Sequence, residues 1–183
     1  KYINEDVKQT LKLSDQQFHS HWSKLLPDLD TGRISEAAFW QKFVKATQTN
    51  EPLPEVSLFL REFRNHYKPQ DDVLNLVEKL DESGLRLAIL SNTIASHVGF
   101  LEEQGIYTHF PVTIFSHEVG LAKPDPKIYE LTLATLKLEP EQTFFVDDRA
   151  ENIAAANALG MHGILFESVT QLQEAISELG VTV

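Results

Sequence analysis

At 183 residues, 42% of them hydrophobic and 23% charged, the chain has the make-up of one globular domain or of a core with a smaller domain appended. Sixteen basic residues against twenty-seven acidic ones leave a formal charge of −11, which repels phosphate backbones and anionic lipid surfaces and argues against a nucleic-acid or membrane partner. There is no cysteine, which excludes disulfides, thiolate nucleophiles and zinc-thiolate sites among these residues; with no signal-like segment and no apolar run of membrane-spanning length, a cytoplasmic protein is expected.

The first third reads as helices without strands. Ser14 with Gln17 spells a capping box, and Phe18, Trp22, Leu25 and Leu26 fall on one face before Pro27 breaks the pattern. Asp28 to Gly32 reads as a turn. Ser35 opens a second helix carrying Phe39, Trp40 and Phe43, and residues 54–64 form a third with Val56, Leu60 and Phe63 in phase. Trp22, Phe39 and Trp40 are expected in the core of this module rather than in a substrate box. The seven histidines are scattered, and His19 and His21 point to different helix faces, so they indicate no metal site.

Near His66 to Pro69 the pattern changes to alternating helices and short strands. Val73, Leu76, Val77 and Leu80 mark a helix ending at Gly84, and Leu85 to Leu90 a nearly continuous apolar strand. A helix with Val98 and Leu101 closes at Gly105. A strand over Val112 to Phe115, a helix over Pro126 to Leu136, a strand over Phe144 to Val146, a helix ended by Gly160, a strand over Gly163 to Phe166 and a helix over Thr170 to Leu179 complete the chain. Buried strands alternating with helices predict an α/β core with one parallel sheet covered on both faces, whose working surface lies at the carboxyl ends of its strands.

Three strand ends carry residues suited to one chemistry. Ser91-Asn92-Thr93 offers a hydroxyl and first-turn amides to an anion, or merely caps the next helix. Lys123 sits in the loop 116–127 between Gly120 and two prolines, with Asp125 placed to cap the helix at Pro126; it can put a point charge on a phosphate, or it is a solvated loop lysine. Asp147 and Asp148, side by side after a buried strand, repel one another and call for a cation such as a divalent metal; alternatively Asp148 and Glu151 form a capping box. Hydroxyl, lysine and paired acids at sister strand ends describe a magnesium-dependent phosphoryl-transfer site.

In this order, Leu-Ala-Ile-Leu-Ser-Asn-Thr, Gly-Leu-Ala-Lys-Pro-Asp-Pro-Lys-Ile-Tyr and Phe-Phe-Val-Asp-Asp-Arg-Ala-Glu-Asn resemble the second, third and fourth motifs of the haloacid dehalogenase-like hydrolase superfamily. The resemblance runs from about Tyr67 to Phe166, and the Gly32 to Trp40 stretch is similar to that family's small cap. It implies a Rossmann-like three-layer core over residues 67–183 with a helical cap over 1–66, and a Mg2+-dependent phosphatase of a small phosphorylated metabolite. Ser91 and the Asn92 amide would hold the phosphate, Lys123 would balance nucleophile and phosphate, Asp148 with Asp147 would serve the metal, and Asn152 would orient that shell. The family's first motif, an aspartate nucleophile on a strand before the cap, has no counterpart here. Asp28-Leu29-Asp30-Thr31 imitates its spelling but follows Leu25-Leu26-Pro27 at a helix end and reads as a decoy. The middle strand of the sheet is thus expected on roughly ten to twenty further N-terminal residues of the parent protein, or on another segment or chain, and the 183 residues alone are expected to be inactive. Two other readings stand beside the phosphatase: a catalytically silent or truncated binding protein of this fold, and a hydrolytic dehalogenase, which would need no metal. Substrate identity, phosphatase against phosphomutase, and oligomeric state stay open.

Overall fold

The computed structural model describes residues 2–54 and 57–181, so Val56 lies outside the described residues. In chain order the elements are α1 (Tyr2–Thr10), α2 (Asp15–Asp30), α3 (Glu36–Thr47), α4 (Leu58–His66), α5 (Asp71–Glu82), β1 (Ala88–Ser91), α6 (Ala95–Glu103), β2 (Val112–Phe115), α7 (Ser116–Val119), α8 (Pro126–Leu136), β3 (Phe144–Asp147), α9 (Ala150–Ala158), β4 (His162–Leu165) and α10 (Val169–Glu178). They group into two compact units. The first comprises Lys1–Lys68, Asn92–Ile106 and Phe115–Gly120, and the second Pro69–Ser91, Tyr107–Ile114 and Leu121–Val183.

The first unit is helical, and its helices start where the sequence supplies an oxygen for the orphan amides. Ser14 caps α2 in the expected box with Gln17, Ser35 accepts from the Ala38 amide at 3.2 Å, and Ser57 accepts from Leu60 at 2.9 Å. Their apolar faces meet in one cluster of Phe18, Trp22, Phe39, Trp40, Phe43 and Phe59, with Phe18 stacked on Trp22 at 4.5 Å and Trp22 edge-on to Phe39 at 5.4 Å. Helix α1 was not legible beforehand, yet its Val7, and Leu11 just past its end, are fully buried in this cluster. The expected break at Pro27 and turn at Asp28 do not occur. Helix α2 continues through Pro27 because Leu29 is buried and the next turn is closed by Thr31, whose amide and hydroxyl both donate to the Pro27 carbonyl at 3.2 and 2.6 Å. Only Thr31 and Gly32 turn, with Gly32 at φ 65°.

Asp28 and Asp30 therefore occupy the last turn of a helix. Asp28 pairs with Arg33 at 2.9 Å, whereas burial alone pushes the Asp30 carboxyl up to about 6. A carboxyl whose folded pKa lies above its unfolded value stabilises the fold below the unfolded pKa, and that contribution is lost as pH rises through about 6. Asp30→Asn should accordingly remove a fall in stability between pH 4 and pH 7 of about 1 kcal/mol, after allowance for solvent screening. Paired denaturant titrations at the two pH values measure it.

The second unit holds the strands. Strands β3 and β4 are parallel, in register from Phe144 opposite His162 to Asp147 opposite Leu165, and are joined through α9, which buries Ile153 and Ala156. Gly163 on β4 lets α9 come close, since a Cβ there would lie 2.9 Å from the Ile153 side chain and 2.7 Å from Asn157 Oδ1, which accepts from the Gly163 amide. Leu76 and Leu80 of α5 pack with Ile164, Leu172 and Ile176 into this unit's core. The single sheet expected from the sequence is, among the described residues, two sheets of two strands, β1 with β2 and β3 with β4. Strand bounds also shift. β1 starts at Ala88 rather than Leu85, where exposed Arg86 turns out to donate to the Leu136 carbonyl at 3.3 Å, and β4 covers His162–Leu165. The loop 116–127 contains α7, a helix too short for its periodicity to register, closed by Gly120 at φ 73°. No helix among the described residues is long and apolar enough to cross a membrane.

Candidate active site

The site is built at the carboxyl ends of β1 and β3, within the second unit. Strand β3 ends on Asp147, whose side chain is only 7% exposed. Burying a carboxylate costs several kcal/mol unless its lone pairs are met, and here both oxygens are. Oδ2 accepts from the Lys123 ammonium at 2.6 Å, and Oδ1 accepts from the Arg149 amide and from Asn152 Nδ2, each at 2.9 Å. Burial pushes the Asp147 carboxyl up, but the hydrogen bonds from Lys123 and Asn152 and the lysine charge outweigh it and hold the group below its ordinary value, ionised at neutral pH.

Lys123 is as well anchored. Its side chain is 10% exposed, and Nζ donates a second bond, 2.7 Å long, to the Leu90 carbonyl one residue before the end of β1. It also lies 5.3 Å above the Phe145 ring. One ammonium thus touches the ends of both sheets, and the reading of Lys123 as a solvated loop residue is overturned. The exit of its loop is fixed as expected, with Asp125 accepting from the Lys127 amide at 3.0 Å and Pro126 in the first turn of α8.

The environment of Asn152 adds a chemical constraint. The residue is 2% exposed, its backbone carbonyl accepts from the Tyr129 hydroxyl at 3.0 Å, and only the nitrogen end of its amide can face the Asp147 carboxylate. The other end, Oδ1, is buried with no hydrogen-bond partner among the described residues. Burial and the nearby Asp147 charge push the Tyr129 phenol up to about 12, so it remains a neutral donor. The alternative that Asp148 and Glu151 form a capping box does not survive. Helix α9 begins at Ala150 with Arg149 in the cap position and no side-chain cap, Glu151 pairs with the Arg149 guanidinium, and Asp147 meets the Arg149 amide. Asp148 is left exposed beside these groups. An exposed carboxylate, an adjacent one largely shielded from solvent and an orphaned amide oxygen are donors of the type that a hard divalent cation takes.

Ser91 ends β1, half-buried, directly after the residue whose carbonyl binds Lys123. Asn92 follows it in the chain and is also half-buried. The helix that the Ser91-Asn92-Thr93 stretch was expected to open starts at Ala95, and neither Ser91 nor Asn92 caps it, since the cap position is Ile94. The contribution of the Arg149 amide was not anticipated, because backbone donors leave no mark in the residue types.

This chain belongs to the haloacid dehalogenase-like hydrolases: the family's model matches residues 15–160, well over half of its length. Among individual relatives, it is 26% identical over 148 residues to a sesquiterpene phosphatase of Aspergillus oryzae, covering 74% of this chain and 76% of that protein. It is 33% identical over 105 residues to mouse acyl-CoA dehydrogenase family member 10; the match takes in 56% of this chain but spans only 9% of that much longer protein. In fold it is similar to a haloacid dehalogenase family enzyme of Bacteroides thetaiotaomicron, with TM-score 0.80 at 20% identity over 91% of this chain and 85% of that one. That enzyme has also been solved in complex with magnesium and inorganic phosphate.

Proposed function

We propose that the complete protein is a magnesium-dependent phosphatase of small phosphate monoesters, with the catalytic roles distributed over Lys123, Ser91, Asn92, Asp147, Asp148 and Asn152. The observation that carries the reading is Lys123, half-buried and bound both to the Leu90 carbonyl near the end of β1 and to the Asp147 carboxylate at the end of β3. Phosphoryl transfer needs positioned charge more than covalent chemistry, and a rigid ammonium beside a fixed carboxylate provides it without reorganisation during the reaction. Ser91 donates its hydroxyl to a phosphate oxygen, and the Asn92 amide donates to a second. Asn152 locks Asp147 in orientation. Asp148, which no cap consumes, and Asp147 would hold Mg2+ with Asn152 behind them, and the ion when bound would neutralise charge on the phosphoryl oxygens.

The same proposal assigns the nucleophile to a carboxylate on a strand outside these 183 residues, entering between β1 and β3 to complete a Rossmann-like three-layer core. The Lys123 ammonium, which bonds the Leu90 carbonyl near the end of β1 and the Asp147 carboxylate at the end of β3 while these strands lie in separate two-stranded sheets, supports that placement. The carboxylate oxygen attacks phosphorus as the P–O ester bond breaks, the departing ester oxygen takes a proton from water to leave as the alcohol, and a water molecule then cleaves the acyl phosphate, which restores the carboxylate and releases inorganic phosphate. Phosphate release by the complete protein from a broad panel of small monoesters, with and without chelator, tests this. Release that chelator abolishes is expected. Silence across the panel would favour a binding protein, and chelator-insensitive halide release from haloacids would favour the dehalogenase, a reading that the paired aspartates disfavour.

A further inference from the structure

A second cluster of metal-ligating side chains lies in the helical unit. Glu62 and His66 are four residues apart on α4, so they share one face of that helix, and Asp6 faces them from α1. One ligand atom from each of the three, a carboxylate oxygen from Asp6 and Glu62 and an imidazole nitrogen from His66, lies within 4.8 Å of the others. His66 Nε2 and Asp6 Oδ2 are already 3.1 Å apart. These residues, with Gln9, Thr10 and Asn65, line a cavity of about 410 Å3. None of them takes part in the site at the strand ends.

Burial makes the cluster unusual. Glu62 is 3% exposed, and a carboxylate that far from water facing a second carboxylate needs positive charge close by. Arg61 provides one charge to Glu62, with Nε donating to Oε1 at 2.6 Å, and its Nη2 donates to Thr10 on α1 at 3.0 Å, which fixes Glu62 and ties the two helices together. The second carboxylate, Asp6, has no guanidinium of its own among the described ion pairs and faces the His66 imidazole instead. Asp6 and His66 sit at its more exposed edge, where side-chain rotations of about 1 Å would bring three donors from their present spacing to the roughly 3.3 Å edges of a tetrahedral site with 2.0 Å bonds. The cavity leaves room for water as the remaining ligand.

We propose that Asp6, Glu62 and His66 form a three-ligand site for a divalent transition-metal ion of the zinc type, separate from the magnesium site and able to clamp α1 to α4. The imidazole sets the class, because magnesium prefers an all-oxygen shell whereas zinc takes imidazole and carboxylate together. The same bond that selects the metal also makes the site testable. Calorimetric titration of the full chain with Zn2+ in excess Mg2+, which occupies the other site, should show one equivalent bound and a rise in melting temperature. Asp6→Asn and His66→Ala should each weaken binding at least about tenfold and abolish the metal-dependent rise. Cobalt titration should give a visible d–d absorption in the parent that both variants lose. No Zn2+ binding beyond Mg2+ saturation, or binding retained in either variant, overturns the proposal and assigns the cluster to carboxyls that share a proton.

Discussion

Lys123→Ala in the complete protein is expected to lower phosphatase turnover by at least about a hundredfold and to destabilise the second unit by about 3 kcal/mol. The two losses have one origin. Asp147 is 7% exposed and ionised, and the lysine is its only cationic partner among the described ion pairs, so truncation strands a buried charge and also uncovers the Leu90 carbonyl. Lys123→Arg should recover part of the stability and little of the rate, because a planar fork cannot occupy the position of a compact ammonium held at 2.6 and 2.7 Å by two different strand ends. Denaturant unfolding and initial rates on the same preparations separate the effects. Wild-type turnover in Lys123→Ala would remove the lysine from the chemistry altogether.

Gly32→Ala is expected to be among the most damaging single substitutions in the helical unit, by about 3 kcal/mol or more. Gly32 adopts φ +65°, and a Cβ there would sit 2.0 Å from the backbone carbonyl oxygen of His117, a contact that no side-chain rotation relieves. The segment it would displace is itself pinned. The Ser116 hydroxyl is fully buried, accepts from the Thr93 amide at 3.0 Å and donates to the Thr93 carbonyl at 3.2 Å, while His117 Nδ1 lies 3.1 Å from that same carbonyl. Gly120→Ala is the control: it has a similar positive φ but open space around its Cβ, so its cost should be only the backbone strain of about 1 kcal/mol. Equal melting temperatures for the two variants would refute the steric account.

What could be read beforehand follows from the range of the interactions concerned. Helices with a side-chain cap and a long apolar stripe, such as α2, α3 and α8, declare themselves through local chemistry, and α8 falls on the expected residues. Pro27 misled because its local cost is outweighed by non-local gains, the burial of Leu29 and the clasp of Thr31, that no window of sequence contains. Helix α1 escaped for a similar reason, since most of its residues are polar and the burial of Val7, with Leu11 just after the helix, matters only once the aromatic cluster exists. At the strand ends the residue types were legible and the assignments between them were not. The sequence placed Lys123 and Asp147 on one surface, but that the lysine also binds the Leu90 carbonyl, and that Asp147 rather than Asp148 accepts from a backbone amide, that of Arg149, are facts of backbone geometry. Separation of the strands into two pairs is likewise a matter of hydrogen-bond partners rather than of strand composition.

The paired aspartates remain the centre of the account. Asp147 already accepts from Lys123, Asn152 and the Arg149 amide, whereas Asp148 is exposed and caps no helix; under the proposed function Asp148 is thus the metal carboxylate that can be changed with least effect on the fold. The most direct measurement is the initial rate of inorganic phosphate release from a small monoester as a function of magnesium concentration, for the complete protein and for Asp148→Asn at unchanged melting temperature. A saturable magnesium dependence in the parent and its loss in the variant, with the rate down at least about a hundredfold, is the predicted result. A variant that hydrolyses the ester with the parent's rate and magnesium dependence would contradict it.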